Sequence, residues 1–257
     1  MQKRAMRILS LAAAVAATAL AGDAAAAPPW VERGLTLPSG DWAFDIGAAS
    51  VLSTPANAGM NLEMGVGLTS RIELGLRTGL RFGDAIARGE HPDGYARLFD
   101  MQTFDLGNEA VANPEVRLRG ELVRGEVGEV ALEGRVVLPF EPGTDVGLLF
   151  GVPIALHLGD RVRLDTGGYV ATVAGRRAPV DLSIPLDVWI QITQRFWLGP
   201  VSDFVLDTNG NTGALIGFGL GYQITHAIDF KAWAVSPIPD PDFRSVAVAA
   251  GLQFRIE

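Results

Sequence analysis

The sequence predicts an all-β fold, an antiparallel transmembrane β-barrel of about twelve strands, with ten as the alternative. Three observations predict it. Residues 71–82 alternate strictly, placing Ile72, Leu74, Leu76, Leu80 and Phe82 on one face and Glu73, Arg77 and Arg81 on the other. Successive side chains of a strand point to opposite faces, so this segment separates oil from charge. The same alternation recurs to the C-terminus in segments of roughly 9–12 residues, the length of a tilted strand that crosses a bilayer. The links between segments also sort into alternating short turns and longer loops, as in bacterial barrels with short periplasmic turns.

The elements follow in order. Lys3, Arg4 and Arg7 open the chain, residues 8–22 carry no charge, and an Ala-rich stretch precedes Pro28. That order is a secretory signal peptide. Small residues at 19–21 and 24–26 place cleavage between 21 and 27, so that 1–27 is the leader and 28–257 the barrel. The apolar stretch is shorter than the roughly 18–20 residues of a spanning helix, which argues against a retained anchor. With no cysteine anywhere, lipid anchoring, disulfides and thiol chemistry are excluded. Loss of the leader's three cations takes the net charge from −8 to about −10, and an acidic chain without clustered Lys and Arg does not suit nucleic acid.

Strands are expected at 42–51, 60–68, 71–82, 114–123, 129–140, 146–158, 161–172, 180–192, 195–206, 213–224, 227–236 and 245–256. The even number keeps both ends of the barrel on one side. Tight turns fall at Thr69, Gly125, Gly159, Thr193 and Thr225, and longer links at 53–59, 83–113, 141–145, 174–179, 207–212 and 237–244. Pro185 and the Gly199-Pro200 pair make the eighth and ninth strands the least regular, because proline removes a ladder donor. Aromatic residues ring the expected boundaries: Trp42, Phe196, Tyr222 and Phe254 at the turn side, Phe82 and Phe140 at the loop side. Trp189 and Trp233 fall on the polar parity, so either they line the lumen or the register slips there.

The leader, the even set of amphipathic strands and the alternating tail Val246, Val248, Ala250, Leu252, Phe254, Ile256 resemble Gram-negative outer-membrane β-barrel proteins. More narrowly, Gly-Leu-Thr-Ser-Arg-Ile-Glu-Leu-Gly-Leu at 67–76 resembles a family of outer-membrane transporters encoded with phenol-degradation pathways. The resemblance implies the outer membrane of a Gram-negative bacterium as the location, its lipid as one partner and a small solute as another. It departs in one place. Barrels of this class commonly end in an aromatic residue that the assembly machinery reads, whereas this chain ends Phe254-Arg255-Ile256-Glu257.

The polar faces collect the candidate lumen lining: Glu73, Arg77, Arg81, Arg117, Arg119, Glu121, Glu133, Arg135, Arg163 and Asp165, together with Glu63, Asp181, Asp187, Asp229, Lys231 and Arg255. In a water-filled pore such groups screen solutes by charge and size. In a narrow barrel they pair across the interior and plug it. Arg77, Arg81, Arg117 and Arg119 are expected to cluster beside the 83–113 loop and to attract anionic solutes such as carboxylates. That loop far exceeds what a hairpin needs and reads as a constriction or a solvated surface loop.

Covalent chemistry finds little footing. His91, His157 and His226 sit on separate elements. The outer-membrane phospholipase resembles this chain in strand number, but no Ser-containing motif of that family is present, and no His-Asp pair activates water for an outer-membrane protease. Asp207-Thr208-Asn209-Gly210-Asn211 lacks the later bidentate Glu of a calcium loop and reads as a hairpin. Glycines at 213–221 form no nucleotide fingerprint and are expected to let strands bend and pack. No cofactor or metal is called for. The expected function is passive, charge-filtered passage of small solutes, against a plugged structural or surface-interaction barrel, a lipid hydrolase, and a soluble barrel with its faces reversed.

Overall fold

The computed structural model describes residues 28–51, 57–83, 111–140, 145–174, 180–208, 212–238 and 246–257. Among them, β1 (Trp42–Val51), β2 (Asn57–Thr69), β3 (Ile72–Gly83), β4 (Glu115–Arg124), β5 (Gly128–Val137), β6 (Gly147–His157), β7 (Val162–Val173), β8 (Asp181–Gln191), β9 (Phe196–Asp207), β10 (Thr212–Thr225), β11 (Ile228–Ile238) and β12 (Ala247–Ile256) form one closed barrel. Each strand pairs antiparallel with its neighbours in the chain. β1 closes on β12 from Trp42↔Ile256 to Val51↔Ala247, leaving no free edge. The twelve-strand expectation holds, and the ten-strand alternative falls because β8 and β9 pair from Asp181↔Asp207 to Gln191↔Trp197.

The two prolines in that region are accommodated locally. Ser202 N–H donates to the Asp187 carboxylate at 3.1 Å, close to Pro185, and the hydroxyls of Thr166 and Ser202 donate to the carbonyls of Pro185 and Leu186, both at 2.8 Å. Wall groups are thus bonded within the wall, as a lipid-facing surface demands.

The outer face is apolar. Ile46, Leu76, Leu118, Leu132, Phe150, Ile184, Phe204 and Phe218 are exposed, distributed around the ring. A soluble monomer rarely presents contiguous apolar surface on this scale. The inner face buries Glu73, Arg77, Arg117, Arg119, Glu133 and Arg135. A soluble barrel with a greasy interior and a polar exterior is therefore contradicted: the faces have the opposite sense.

Tight turns and both barrel termini lie at one end. In three of the turns the Thr hydroxyl accepts a backbone N–H two residues on, from Arg71, Arg195 and Ala227. β5 stops at Val137, short of the expected Phe140, which lies beyond the strand with its N–H on Asn113 Oδ1 at 2.9 Å. Of the long 83–113 link, residues 84–110 lie outside the described residues, and its return runs against β3 through the Leu80↔Val111 bridge and Ala112 N–H to Gly79 O at 2.9 Å. The expected leader, 1–27, also lies outside them.

Candidate functional site: the lumen and its N-terminal strap

Bulky inner side chains stand opposite glycines. Trp197 faces Gly221, Trp233 faces Gly219, Tyr169 faces Gly151 and Arg117 faces Gly75 in neighbouring strands. A Cβ on Gly221 would lie 2.1 Å from the Trp197 ring, and one on Gly219 would lie 2.7 Å from both Trp189 and Trp233. The glycine row of β10 thus makes room for flat indoles, which refines the bending role expected from sequence. Trp189 and Trp233 line the lumen, and no register slip occurs there.

The lumen has two unlike walls. On β2–β5, Arg117 bridges Glu63 at 3.1 Å and Glu73; Glu133 receives Arg119 Nε at 2.7 Å and Arg135 Nε at 2.6 Å; Arg77 Nε donates to Asn61 Oδ1 at 2.7 Å. Register places these charges: Glu73↔Arg119, Arg77↔Glu115 and Arg119↔Glu133 are directly opposed. On β8–β12, Trp189, Trp197, Val201, Trp233, Val235, Ala247 and Ala249 pack as one apolar cluster. Between the two, on β7, Arg163 Nε donates to Asp165 at 2.7 Å.

Of the sequence-predicted lining, Glu73, Arg77, Arg117, Arg119, Glu121, Glu133, Arg135 and Arg163 are buried on the inner wall, with Asp165 half-buried. Arg81 lies on β3 opposite Gly59, but its side chain lies outside the described residues. The expected cationic cluster beside the long loop has a different form. Arg117 and Arg119 sit down the wall and are ion-paired with Glu63, Glu73 and Glu133, because the register sets acidic residues beside them.

Residues 28–41 supply what the alternation could not reveal. This segment enters the lumen as a strap, with a 3-10 turn at Trp30–Glu32, and is held largely by its main chain. Val31 N–H donates to Gln191 Oε1 at 3.4 Å and Val31 O meets His157 Nδ1 at 2.7 Å. Arg33 O accepts from Arg163, and Leu35 O from Arg119 Nη1 at 2.7 Å. Leu35 N–H donates to Glu129 Oε2 at 2.6 Å and Leu37 N–H to Glu73 Oε2 at 2.9 Å. Side chains add anchors: Arg33 on the fully buried Asp229, which Arg255 also reaches at 3.2 Å, and Thr36 on Glu121 at 3.1 Å.

The strap leaves the lumen through a turn with Gly40 at φ +91°, a conformation that glycine adopts without strain. There Gly40 N–H bonds Gly67 O at 2.8 Å and Gly67 N–H bonds Asp41 O at 3.0 Å. Partial burial, then the Glu257 carboxylate, hold the Asp41 carboxyl above its usual range, while Arg255 pulls it back. Beside the strap remains a cavity of about 420 Å³, lined by charged residues such as Glu63, Arg119 and Lys231 and by Trp189, Trp197 and Trp233.

His157 and Glu129, 3.7 Å apart, both bond the strap. Among the described residues, no group of three His, Asp or Glu side chains is placed to hold a metal.

This fold is shared with solved outer-membrane channels. The NanC porin superposes with a TM-score of 0.60 at 9% identity, over 84% of this chain and all of that one. The KdgM porin gives 0.59 at 8% identity over 84% and 99%, and an outer membrane channel from Pseudomonas putida F1 gives 0.58 at 10% identity over 86% and 97%. A second KdgM structure is a complex with disordered oligogalacturonate. No protein family matches the chain, and no curated protein matches it in sequence.

Proposed function

We propose that this chain is an outer-membrane channel of a Gram-negative bacterium, through which small charged solutes, anionic ones above all, pass by diffusion. One observation carries the reading: apolar side chains face outward around the whole ring while ion-paired arginines and glutamates line the interior. An apolar exterior suits lipid, and a lumen lined with fixed charge filters by sign and size. The likeness to channel folds supports it, as does the anionic oligosaccharide bound by KdgM. The leader delivers the chain across the inner membrane, with cleavage between residues 21 and 27. The resemblance of residues 67–76 to transporters encoded with phenol-degradation pathways is the narrower form of the same proposal.

The filter would consist of Arg117, Arg119, Arg135 and Arg163 on the wall, each balanced by a carboxylate, with Arg77 and Arg81 toward the loop side. The strap sets how wide the path is. It also favours a second reading, a barrel whose interior is blocked and whose loops do the binding.

Osmotic swelling of liposomes containing the purified protein separates the two. Glucuronate and glucosamine are alike in size and opposite in charge. A channel of this kind admits glucuronate faster, and Arg117→Gln reduces the difference. No swelling in either solute identifies the blocked barrel, and equal rates remove the charge filter.

A further inference from the structure

Trp30 belongs to the strap, yet its ring is seated in the barrel wall as a guest. The indole stacks on Trp197 with centroids 5.3 Å apart and planes 4° from parallel, and meets Trp189 edge-on at 6.4 Å and 80°. Three cations surround it: Lys231 Nζ at 4.3 Å from the ring centroid, and the guanidinium carbons of Arg33 at 5.4 Å and Arg163 at 5.7 Å. The host belongs to the barrel alone, since Trp189, Trp197 and Trp233 lie over the Gly219 and Gly221 positions of β10.

The guest fits imperfectly. The Trp30 Nε1–H is buried with no hydrogen-bond partner among the described residues, and an unmet buried donor weakens the seated state. Withdrawal of the strap would also release Arg163 from the Arg33 carbonyl and His157 from the Val31 carbonyl. The vacated slot would then offer a flat aromatic floor and, close beside it, the donors of Arg163 and Lys231.

We propose that this slot is a solute site for a flat aromatic ring bearing a carboxylate, and that Trp30 is its built-in competitor. The proposal rests on the channel reading and names a solute class for it. The ring replaces the indole on Trp197, and its carboxylate takes the hydrogen bonds that Arg163 gives to the strap. A saturated ring does not suffice. Cations placed over a ring are attracted by the negative face of a π system, which a saturated ring lacks. Binding and strap release are coupled, because one ring must leave before the other enters.

Calorimetry on the full chain in detergent tests this with indole-3-acetate and, as the saturated control of equal charge, cyclohexylacetate. Trp30→Ala removes the competitor and tightens indole-3-acetate binding about tenfold, the ratio that ~1.4 kcal/mol of ring contact produces. Trp30→Phe falls between that variant and the parent. Cyclohexylacetate binds at least roughly tenfold more weakly to the parent, Trp30→Ala and Trp30→Phe proteins. Trp197→Leu in the Trp30→Ala background abolishes the preference for the aromatic acid, with the gel shift on boiling confirming a folded barrel. Equal affinity of parent and Trp30→Ala protein, or equal affinity for the two acids, overturns the proposal. The channel reading is judged separately: swelling in glucuronate without ring discrimination defeats only the slot, while discrimination without any swelling defeats the channel.

Discussion

Gly67→Ala should unseat the strap while leaving the barrel whole. A Cβ at residue 67 would lie 1.9 Å from Pro38 O and 2.8 Å from Leu37 O, both rigid main-chain atoms. An ordinary contact needs more than an ångström of additional separation, so the strap must shift as a unit. That shift breaks the pair joining Gly67 to Gly40 and Asp41, at 2.8 and 3.0 Å, and withdraws Leu37 N–H from Glu73. Two neutral backbone bonds and one to a carboxylate together contribute roughly 3–5 kcal/mol to the seated strap. The released population should therefore rise by about two to four powers of ten. Trypsin reads it directly, because Arg33 lies in the lumen with its side chain 12% exposed. In the parent protein the bond after Arg33 should resist; in Gly67→Ala it should be cut within minutes while the rest of the folded barrel survives. Equal resistance of both proteins, each still shifting on a boiled gel, would refute the strap's dependence on the glycine.

Two further substitutions test the walls. Glu133→Ala leaves Arg119 and Arg135 facing each other across a buried gap, and removing one partner from a buried ion pair costs about 3–5 kcal/mol; the urea midpoint for loss of the folded gel band should fall accordingly, and an unchanged midpoint would show the network to be solvated. Leu132→Arg, on an outer position that is 50% exposed, should cost about 2–4 kcal/mol in a lipid bilayer and much less in a soluble form. Unfolding in lipid vesicles measures it, and a neutral effect there would contradict the lipid-facing assignment.

The strands were legible because one physical demand repeats along the whole chain. Each strand must show oil to one side and charge to the other, so Ile72 to Phe82 displays the barrel in miniature, and the observed bounds of β1 match the expected 42–51. Trp189 and Trp233 were harder to assign, since an indole on the polar parity contradicts the simple rule until the glycines opposite are seen. The strap left no signature of that kind. Its principal bonds run from barrel side chains to its own N–H and C=O groups, which every residue possesses, so no pattern of side chains announces them. Its partners carried a faint signal. Glu129 continues the inner parity of Glu133 and Arg135 to the turn end of β5, and Gln191 does the same for Trp189 on β8. The ion pairing that tempers the arginine cluster depends on cross-strand register, which periodicity within one strand does not specify.

A channel of this kind carries a water-filled path whose width the strap controls. Planar-bilayer recording of the purified full chain measures that path one molecule at a time. The proposed channel predicts reproducible current steps, larger in Gly67→Ala than in the parent. Silence from both proteins, correctly inserted and still shifting on heating, would contradict it.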